Sequence, residues 1–197
     1  MSASFVISVA SGVVQLAAFV LYNKQIFNGK SKPNTVVWTL WAYLTLLDSS
    51  SYTVMSGDMV KSILPIVSMA LTVGTFSRAL VHGKFAKITE KWDWVALVIG
   101  IIAGFIWWVF HSATYANLIV IFAIAISFIP LYRDLRKNRS IERPLPWLLW
   151  SLAYALNFIT VWLRWRGHYV DFAYSFACFF LHLPVALIAT GKVKAST

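Results

Sequence analysis

Apolar residues form seven long runs along the chain, separated by short segments that hold most of the charged residues. Each run approaches the roughly 20 residues that a helix needs to cross a bilayer. A transmembrane barrel would instead show short segments of alternating polarity. The pattern therefore predicts an all-α integral membrane protein with seven transmembrane helices. The predicted helices span residues 5–22, 36–55, 63–80, 94–110, 115–132, 147–163 and 172–189.

The charges define an orientation for these helices. Of the 17 Lys and Arg residues, 14 fall on one side of the predicted membrane, and only Lys61, Arg164 and Arg166 fall on the other. The positive-inside rule places the basic side in the cytoplasm. We therefore expect a protein of the plasma membrane, or bacterial inner membrane, with its N-terminus outside and its C-terminus in the cytoplasm. The formal charge of +10 reflects this topology, so we expect no nucleic-acid partner.

Two segments of the chain resemble each other. The stretch KPNTVVWTLWAYLTLLD begins at Lys32, and RPLPWLLWSLAYALN begins at Arg143. Further matches upstream and downstream extend the similarity, which predicts a first three-helix repeat at 5–80, a connector helix at 92–110 and a second repeat at 115–190, all within one transmembrane domain, 1–197. A single connector helix makes the two repeats parallel, in a 3+1+3 arrangement. The matched pairs are Trp38/Trp147, Trp41/Trp150 and Asp48/Asn157, at a spacing of 109, and Tyr22/Tyr132, Gly57/Gly167 and Val60/Val170, at 110.

This plan resembles the SWEET/PQ-loop superfamily of seven-helix membrane proteins, and the repeated W-x-x-W resembles the PnuC-type vitamin transporters within that group. The chain departs from the PQ pattern, since Pro33 is followed by Asn34 and Pro144 by Leu145. The resemblance implies facilitated transport of a small polar molecule such as a sugar or vitamin. One branch of the same fold serves instead as sorting receptors.

The polar residues of the second predicted helix form one stripe. Trp41, Thr45, Asp48 and Tyr52 are separated by intervals of four, seven and eleven residues from Trp41, so they share a helix face. An aspartate near the centre of a membrane helix costs about 2.5–3.5 kcal/mol on insertion scales, which favours a position facing protein or water. An alternative is that the helix ends at Leu47 and that Asp48 pairs with Lys61 or Arg164.

The sixth predicted helix carries the corresponding stripe, with Trp150, Tyr154 and Asn157. Two stripes related by the repeat would face each other across the centre of the bundle. We therefore expect Asp48 and Asn157 to hydrogen-bond a solute, and Trp41 and Trp150 to stack against it. The expected secondary lining is Thr45, Tyr52 and Tyr154.

These features favour a facilitative or ion-coupled transporter that moves a small polar or aromatic-ringed solute, such as a vitamin, nucleoside or sugar, by alternating access. The alternatives are a receptor or sensor that binds its ligand in the same cavity without transport, and a structural subunit of a larger complex. Enzyme motifs and metal-ligand spacings are missing from the sequence, so we expect no enzyme activity, metal or cofactor. The expected partners are the solute and membrane lipids, and the GIIAG stretch at Gly100 has the spacing of a helix-pairing motif, which is compatible with a homo-oligomer.

Overall fold

The computed structural model describes residues 2–84 and 112–190, together with seven separate positions within 94–109. This part of the chain is helical, without strands. Two short 3-10 turns, Arg139–Ile141 (η1) and Tyr169–Phe172 (η2), flank the fifth long helix. The six long helices are α1 (Ala3–Phe27), α2 (Thr35–Ser56), α3 (Met59–Val81), α4 (Ala113–Lys137), α5 (Pro144–Leu163) and α6 (Ala173–Thr190).

The structure is that of an all-α membrane protein. Among the described residues, five helices are long and apolar enough to cross a bilayer, namely α1, α3, α4, α5 and the segment Tyr169–Thr190, which includes α6. The remaining helix, α2, has 22 residues, which is long enough to cross a bilayer. Asp48 and the serines that follow it make α2 more polar than the other five helices. Six of the seven predicted helices match observed ones in position. The predicted connector, 92–110, lies outside the described residues except for positions that are helical and exposed.

Local sequence explains where α2 and α3 begin and end. The Asn34 side chain accepts hydrogen bonds from the Val36 and Val37 amides at the start of α2, and Asp58 does the same for Val60 and Lys61 at the start of α3. Such capping satisfies amides that have no partner within the helix. Between them, Gly57 adopts a φ of +57°, a left-handed conformation in which glycine is favoured.

The alternative in which the second helix ends at Leu47 is wrong, because α2 continues to Ser56. Its polar run is compatible with a helix in lipid because the hydroxyls bond back to the helix. Ser50 donates to the Leu46 carbonyl and Thr53 to the Ser49 carbonyl. Because of these bonds, few hydroxyl groups of the serine and threonine run lack a hydrogen-bond partner, even where they face lipid.

The helices connect two ends of the bundle. The Asp58 face holds the end of α2, the start of α3 and η2, and the Glu142 face holds the start of α2 and η1. Contacts between helices show that α1, α3, α4 and α6 run from the Asp58 face to the Glu142 face, whereas α2 and α5 run in the opposite direction. Residues 2–81 and 113–190, here called the two halves, therefore have the same helix directions.

The packing partners of the helices are also equivalent in the two halves. Helix α3 packs on both α1 and α2, and α6 packs on both α4 and α5. Across the halves, α1 packs on α5, and α4 packs on α2. Each half therefore contributes its first helix to the second helix of the other.

Aromatic contacts at the centre recur between the halves. Phe19 contacts Trp150 with 5.1 Å between ring centroids, and residues 109 positions away from each, Phe128 and Trp41, are in contact at 4.9 Å. The first contact joins α1 to α5, and the second joins α4 to α2. Two more contacts recur at the same spacing: Phe19–Trp38 with Phe128–Trp147, at 6.3 and 6.4 Å, and Trp38–Trp41 with Trp147–Trp150, at 5.4 and 4.9 Å.

Candidate solute-binding site

The Asp58 face is closed by charged contacts between the two halves. The Lys61 ammonium lies 2.6 Å from an Asp171 carboxylate oxygen, and both side chains are at most 2% exposed. Lys61 and Asp171 are separated by 110 positions, the same spacing as the neighbouring Val60/Val170 match. Equivalent positions of the two halves thus meet in one buried ion pair. Tyr52 adds a hydrogen bond of 3.0 Å from its hydroxyl to the Asp171 carbonyl.

A second ion pair lies beside the first. Arg164, at the end of α5, donates to Asp58 at 2.7 Å and to the Ser4 hydroxyl at 3.3 Å. Partial burial acts to raise the pKa of Asp58, but the bond from Arg164 and the amides of Val60 and Lys61 outweigh it, so that the pKa lies below its usual value. The sequence alternative that paired Asp48 with Lys61 or Arg164 is wrong, because both cations pair with other carboxylates.

The Glu142 face is closed by a carboxylate with uncharged partners. Glu142 lies between η1 and α5 and is 2% exposed. It accepts hydrogen bonds from the Tyr22 hydroxyl, at 2.8 Å, and from the Trp147 indole, at 3.2 Å. Burial raises the pKa of Glu142 to about 7, although the bonds from Tyr22, Trp147 and Ser31 act in the opposite direction. Within the described ranges, Glu142 has no salt bridge.

Other contacts at the Glu142 face also join the halves. The Asn34 amide, which caps α2, donates to Asp134 of α4 at 2.8 Å. The Lys32 amide donates to the Ile141 carbonyl at 3.0 Å, so the loop before α2 meets the loop before α5. Both ends of the bundle are therefore closed by contacts between its halves.

A cavity of about 40 Å³ lies between the two closed ends. This volume holds about one to three water molecules and is far below the roughly 300–1,000 Å³ of sites that hold drug-sized ligands. In this structure the cavity is therefore too small for a solute of that size. The lining has no charged side chain among the described residues and consists of Gln15, Phe19, Trp38, Trp41, Thr45, Thr72, Ile124, Phe128, Trp150, Tyr154, Tyr174, Cys178 and His182.

His182 lies among the aromatic rings of the cavity wall. It is roughly parallel to Trp41, with an interplanar angle of 29°, and its ring centroid is 4.9 Å from that of Tyr154 and 5.0 Å from that of Phe128. Its Nδ1 is 2.7 Å from the Cys178 carbonyl oxygen. Because a carbonyl only accepts, Nδ1 carries the proton, which leaves Nε2 of the neutral ring as an acceptor.

Four of the seven residues predicted for the site line this cavity. They are Trp41, Trp150, Thr45 and Tyr154. The Trp41 indole donates to the Ser127 hydroxyl at 2.8 Å, and the Thr45 hydroxyl donates to the Trp41 carbonyl at 2.6 Å. The indole nitrogen of Trp150 is buried without a hydrogen-bond partner in the described part of the chain.

The other three predicted residues, Asp48, Asn157 and Tyr52, lie outside the cavity lining. All are buried, at 1%, 0% and 0% exposure, on helices that pass the cavity. Since Asp48 is seven residues beyond Trp41, it lies roughly 10 Å closer to the Asp58 face. These residues therefore form a separate polar layer between the cavity and that face.

Asparagine side chains satisfy part of this polar layer. Asn117 donates to Asp48 at 3.0 Å and to the Ser51 hydroxyl at 3.3 Å, and Asn157 donates to Ser175 at 2.7 Å. The amide oxygens of Asn117 and Asn157 have no hydrogen-bond partner among the described residues. In this structure, the expected solute-binding residues Asp48 and Asn157 thus form hydrogen bonds mainly with protein partners.

The sequence did not single out three residues with important positions. Glu142 reads as a loop charge in RSIERP, although it is one of only two acidic residues, with Asp134, in the basic segment 133–143. Gln15 is the only strongly polar side chain within the first predicted span, and that isolation was a usable signal. Ser127 gave no signal, because a serine within a membrane helix is common.

A larger groove of about 480 Å³ runs along the outside of α1 and α3. It is lined in part by Asn23, Lys24, Thr75 and Arg78 near the Glu142 face. All the residues that line this groove belong to one half, whereas the central cavity is lined by residues of both halves. The central cavity is therefore the better candidate for a site on a path across the bundle.

No family model matches this chain, and neither the curated proteins nor the solved structures contain a match.

Proposed function

We propose that this chain is a membrane transporter that moves a small polar or aromatic-ringed solute by alternating access through the central cavity. The observation that carries the proposal is a central cavity closed at both ends by contacts between two equivalent halves. A path of this kind opens at one end when the halves move apart there and remain in contact at the other. The recurrent aromatic contacts support two repeats that move as units.

The proposed architecture has seven helices in a 3+1+3 arrangement. Helix α3 ends at the Glu142 face and α4 begins at the Asp58 face, so a further span between them would give the second half the same direction as the first. The basic residues near the Glu142 face, among them Lys24, Arg78 and Arg136, support a cytoplasmic location for that face. In this orientation the Asp58 face is external.

Counterflow in proteoliposomes tests transport directly. Vesicles that contain the purified full-length protein and an excess of unlabelled solute are mixed with a trace of the labelled solute, over a panel of nucleosides, vitamins and sugars. A transporter accumulates label transiently above the level of empty vesicles. A receptor binds a member of the panel, seen as a rise in thermal stability, but gives no counterflow.

Variants of the cavity wall connect flux to the site. We expect Trp41→Ala to abolish or strongly reduce counterflow, because it removes a ring from the wall between the halves. Asp48→Asn keeps the volume of the side chain and removes its negative charge, so loss of counterflow in this variant assigns a role to the polar layer. Counterflow that survives Trp41→Ala unchanged would exclude this cavity as the path.

A further inference from the structure

Two fully buried polar atoms at the wall of the central cavity have no hydrogen-bond partner in the part of the chain that the structure describes. They are the indole nitrogen of Trp150 and the amide oxygen of Gln15. The two side chains are 3% and 1% exposed, and both residues line the cavity. Buried polar groups are nearly always paired in proteins, so a donor and an acceptor left free beside one cavity require an explanation.

A single sequence difference between the halves explains the free indole. In the first half, Trp41 donates to the Ser127 hydroxyl of α4 at 2.8 Å. Trp150 is 109 positions after Trp41, and the residue 109 positions before Ser127 is Ala18. Ala18 is fully buried in α1, the helix that packs on α5 as α4 packs on α2. The methyl group of Ala18 therefore stands where a hydroxyl would have accepted the Trp150 proton.

The free acceptor lies on the same helix as Ala18. Gln15 donates through Nε2 to the Ser68 hydroxyl at 2.8 Å, and its Oε1 has no partner among the described residues. Phe19, one helical turn after Gln15, has its ring centroid 5.1 Å from that of Trp150. The free donor and the free acceptor thus belong to neighbouring helices from opposite halves.

Resting on the transport function proposed above, we infer that Trp150 and Gln15 recognise the solute, and that the solute is an uncharged planar ring with a hydrogen-bond acceptor next to a donor. The acceptor receives the Trp150 proton, and the donor bonds to Gln15 Oε1. The ring lies between aromatic side chains such as Trp41 and His182. The imide edge of a pyrimidine base has this chemistry.

The lack of charge follows from the lining, because an ion without a counter-ion is strongly disfavoured in a buried apolar cavity. The volume of about 40 Å³ is too small for such a ring, so the ring enters when the halves separate.

Binding of uridine to the purified full-length protein, measured by calorimetry, tests this inference. N3-methyluridine lacks the donor of the imide edge, and glucose lacks the planar ring. We expect uridine to bind, N3-methyluridine to bind about tenfold more weakly because one hydrogen bond is lost, and glucose not to bind. Binding of glucose or of a cationic solute in preference to uridine would overturn the solute class.

Two variants test the role of the Trp150 proton. Trp150→Phe retains a ring without the donor, and Ala18→Ser supplies the missing acceptor from within the protein. Each is expected to weaken uridine binding about tenfold. The matched control is Ala17→Ser, which adds a hydroxyl to the adjacent, exposed position of the same helix, and it should bind as the wild type does.

A readout without any solute keeps the test decisive. The indole N–H resonance of Trp150, assigned by its loss in Trp150→Phe, should shift downfield in Ala18→Ser and stay in place in Ala17→Ser. Unchanged uridine affinity in both Trp150→Phe and Ala18→Ser would overturn the recognition role. Uridine binding that depends on Trp150 but gives no counterflow would retain the recognition pair and reject transport.

Discussion

The two ends of the bundle are closed by different chemistry. At the Asp58 face, each carboxylate has a cation, in the pairs Lys61–Asp171 and Arg164–Asp58. At the Glu142 face, the buried carboxylate of Glu142 is held by the hydroxyl of Tyr22 and the indole of Trp147. Both ends join the same two halves. Only at the Glu142 face does a buried carboxylate lack a neighbouring cation among the described residues.

This difference predicts that the two ends respond to different ranges of pH. The pKa of Asp58 lies below its usual value of 3.8. The stability that its pair contributes is therefore complete well above that value, and it is lost as pH falls from there through the lowered pKa. The pKa of Glu142 is raised to about 7. Near neutral pH, the contacts at the Glu142 face should therefore change while the Asp58 pair stays constant.

The largest effect is expected from breaking the buried pair at the Asp58 face. Lys61→Met leaves Asp171 buried without a cation, which should lower the free energy of unfolding by about 3–5 kcal/mol. Unfolding in mixed micelles measures the loss. The control is the double variant Lys61→Met with Asp171→Leu, which removes both charges and should recover most of the stability. A loss below about 1 kcal/mol in the single variant would show that the pair does not hold this face closed.

The next largest effect is the pH dependence of the free energy of unfolding that Glu142 causes. Between pH 4.5 and about 7, the unfolded chain releases the Glu142 proton while the folded protein retains it, so stability should decrease as pH rises and become constant above that range. The expected contribution is about 3 kcal/mol, from the size of the pKa shift.

Glu142→Gln has no proton to release and isolates this contribution. The amide accepts from Trp147 and donates to Tyr22, so it conserves the contacts. The difference in unfolding free energy between wild type and variant should change across pH 4.5–7 and favour the variant at high pH. A difference that stays constant over this range would contradict the raised pKa.

The smallest effect is expected at the partly exposed pair. Asp58→Asn retains the cap of α3 but removes the charge that faces Arg164, whose side chain is 27% exposed. We expect a loss of about 1 kcal/mol that becomes smaller at high salt. Thermal unfolding at two ionic strengths measures both. A loss as large as that of Lys61→Met would mean that the exposed pair, and not the buried one, holds the face.

The helices were predictable because hydrophobic length is nearly sufficient to define a membrane helix. The positions of Trp41 and Trp150 in the cavity wall were predictable for a different reason. The helical spacing determines which residues share a face, and the repeated W-x-x-W indicated that these faces are equivalent in the two halves. The capping of α2 by Asn34 and of α3 by Asp58 also follows local sequence rules.

The partners of the buried polar groups were not predictable. Lys61 pairs with Asp171, and Asp48 with Asn117, because the packing of α2 on α4 and the approach of η2 to α3 decide which groups meet. Periodicity along one helix contains no information about these distances. Glu142 was missed because burial of a loop residue depends on the helices that cover it.

Side-selective cross-linking tests the central claim that solute passes only when the halves separate at the Asp58 face. In Lys61→Cys with Asp171→Cys, a short bis-methanethiosulfonate reagent forms a disulfide with each cysteine and so joins the halves. Reducing agent cleaves both disulfides, and intact mass confirms the link. Counterflow should disappear on cross-linking and return on reduction. In the control, Val54→Cys with Met59→Cys, both exposed positions belong to one half, so the link should leave counterflow unchanged. Full counterflow in the protein linked between 61 and 171 would contradict the account.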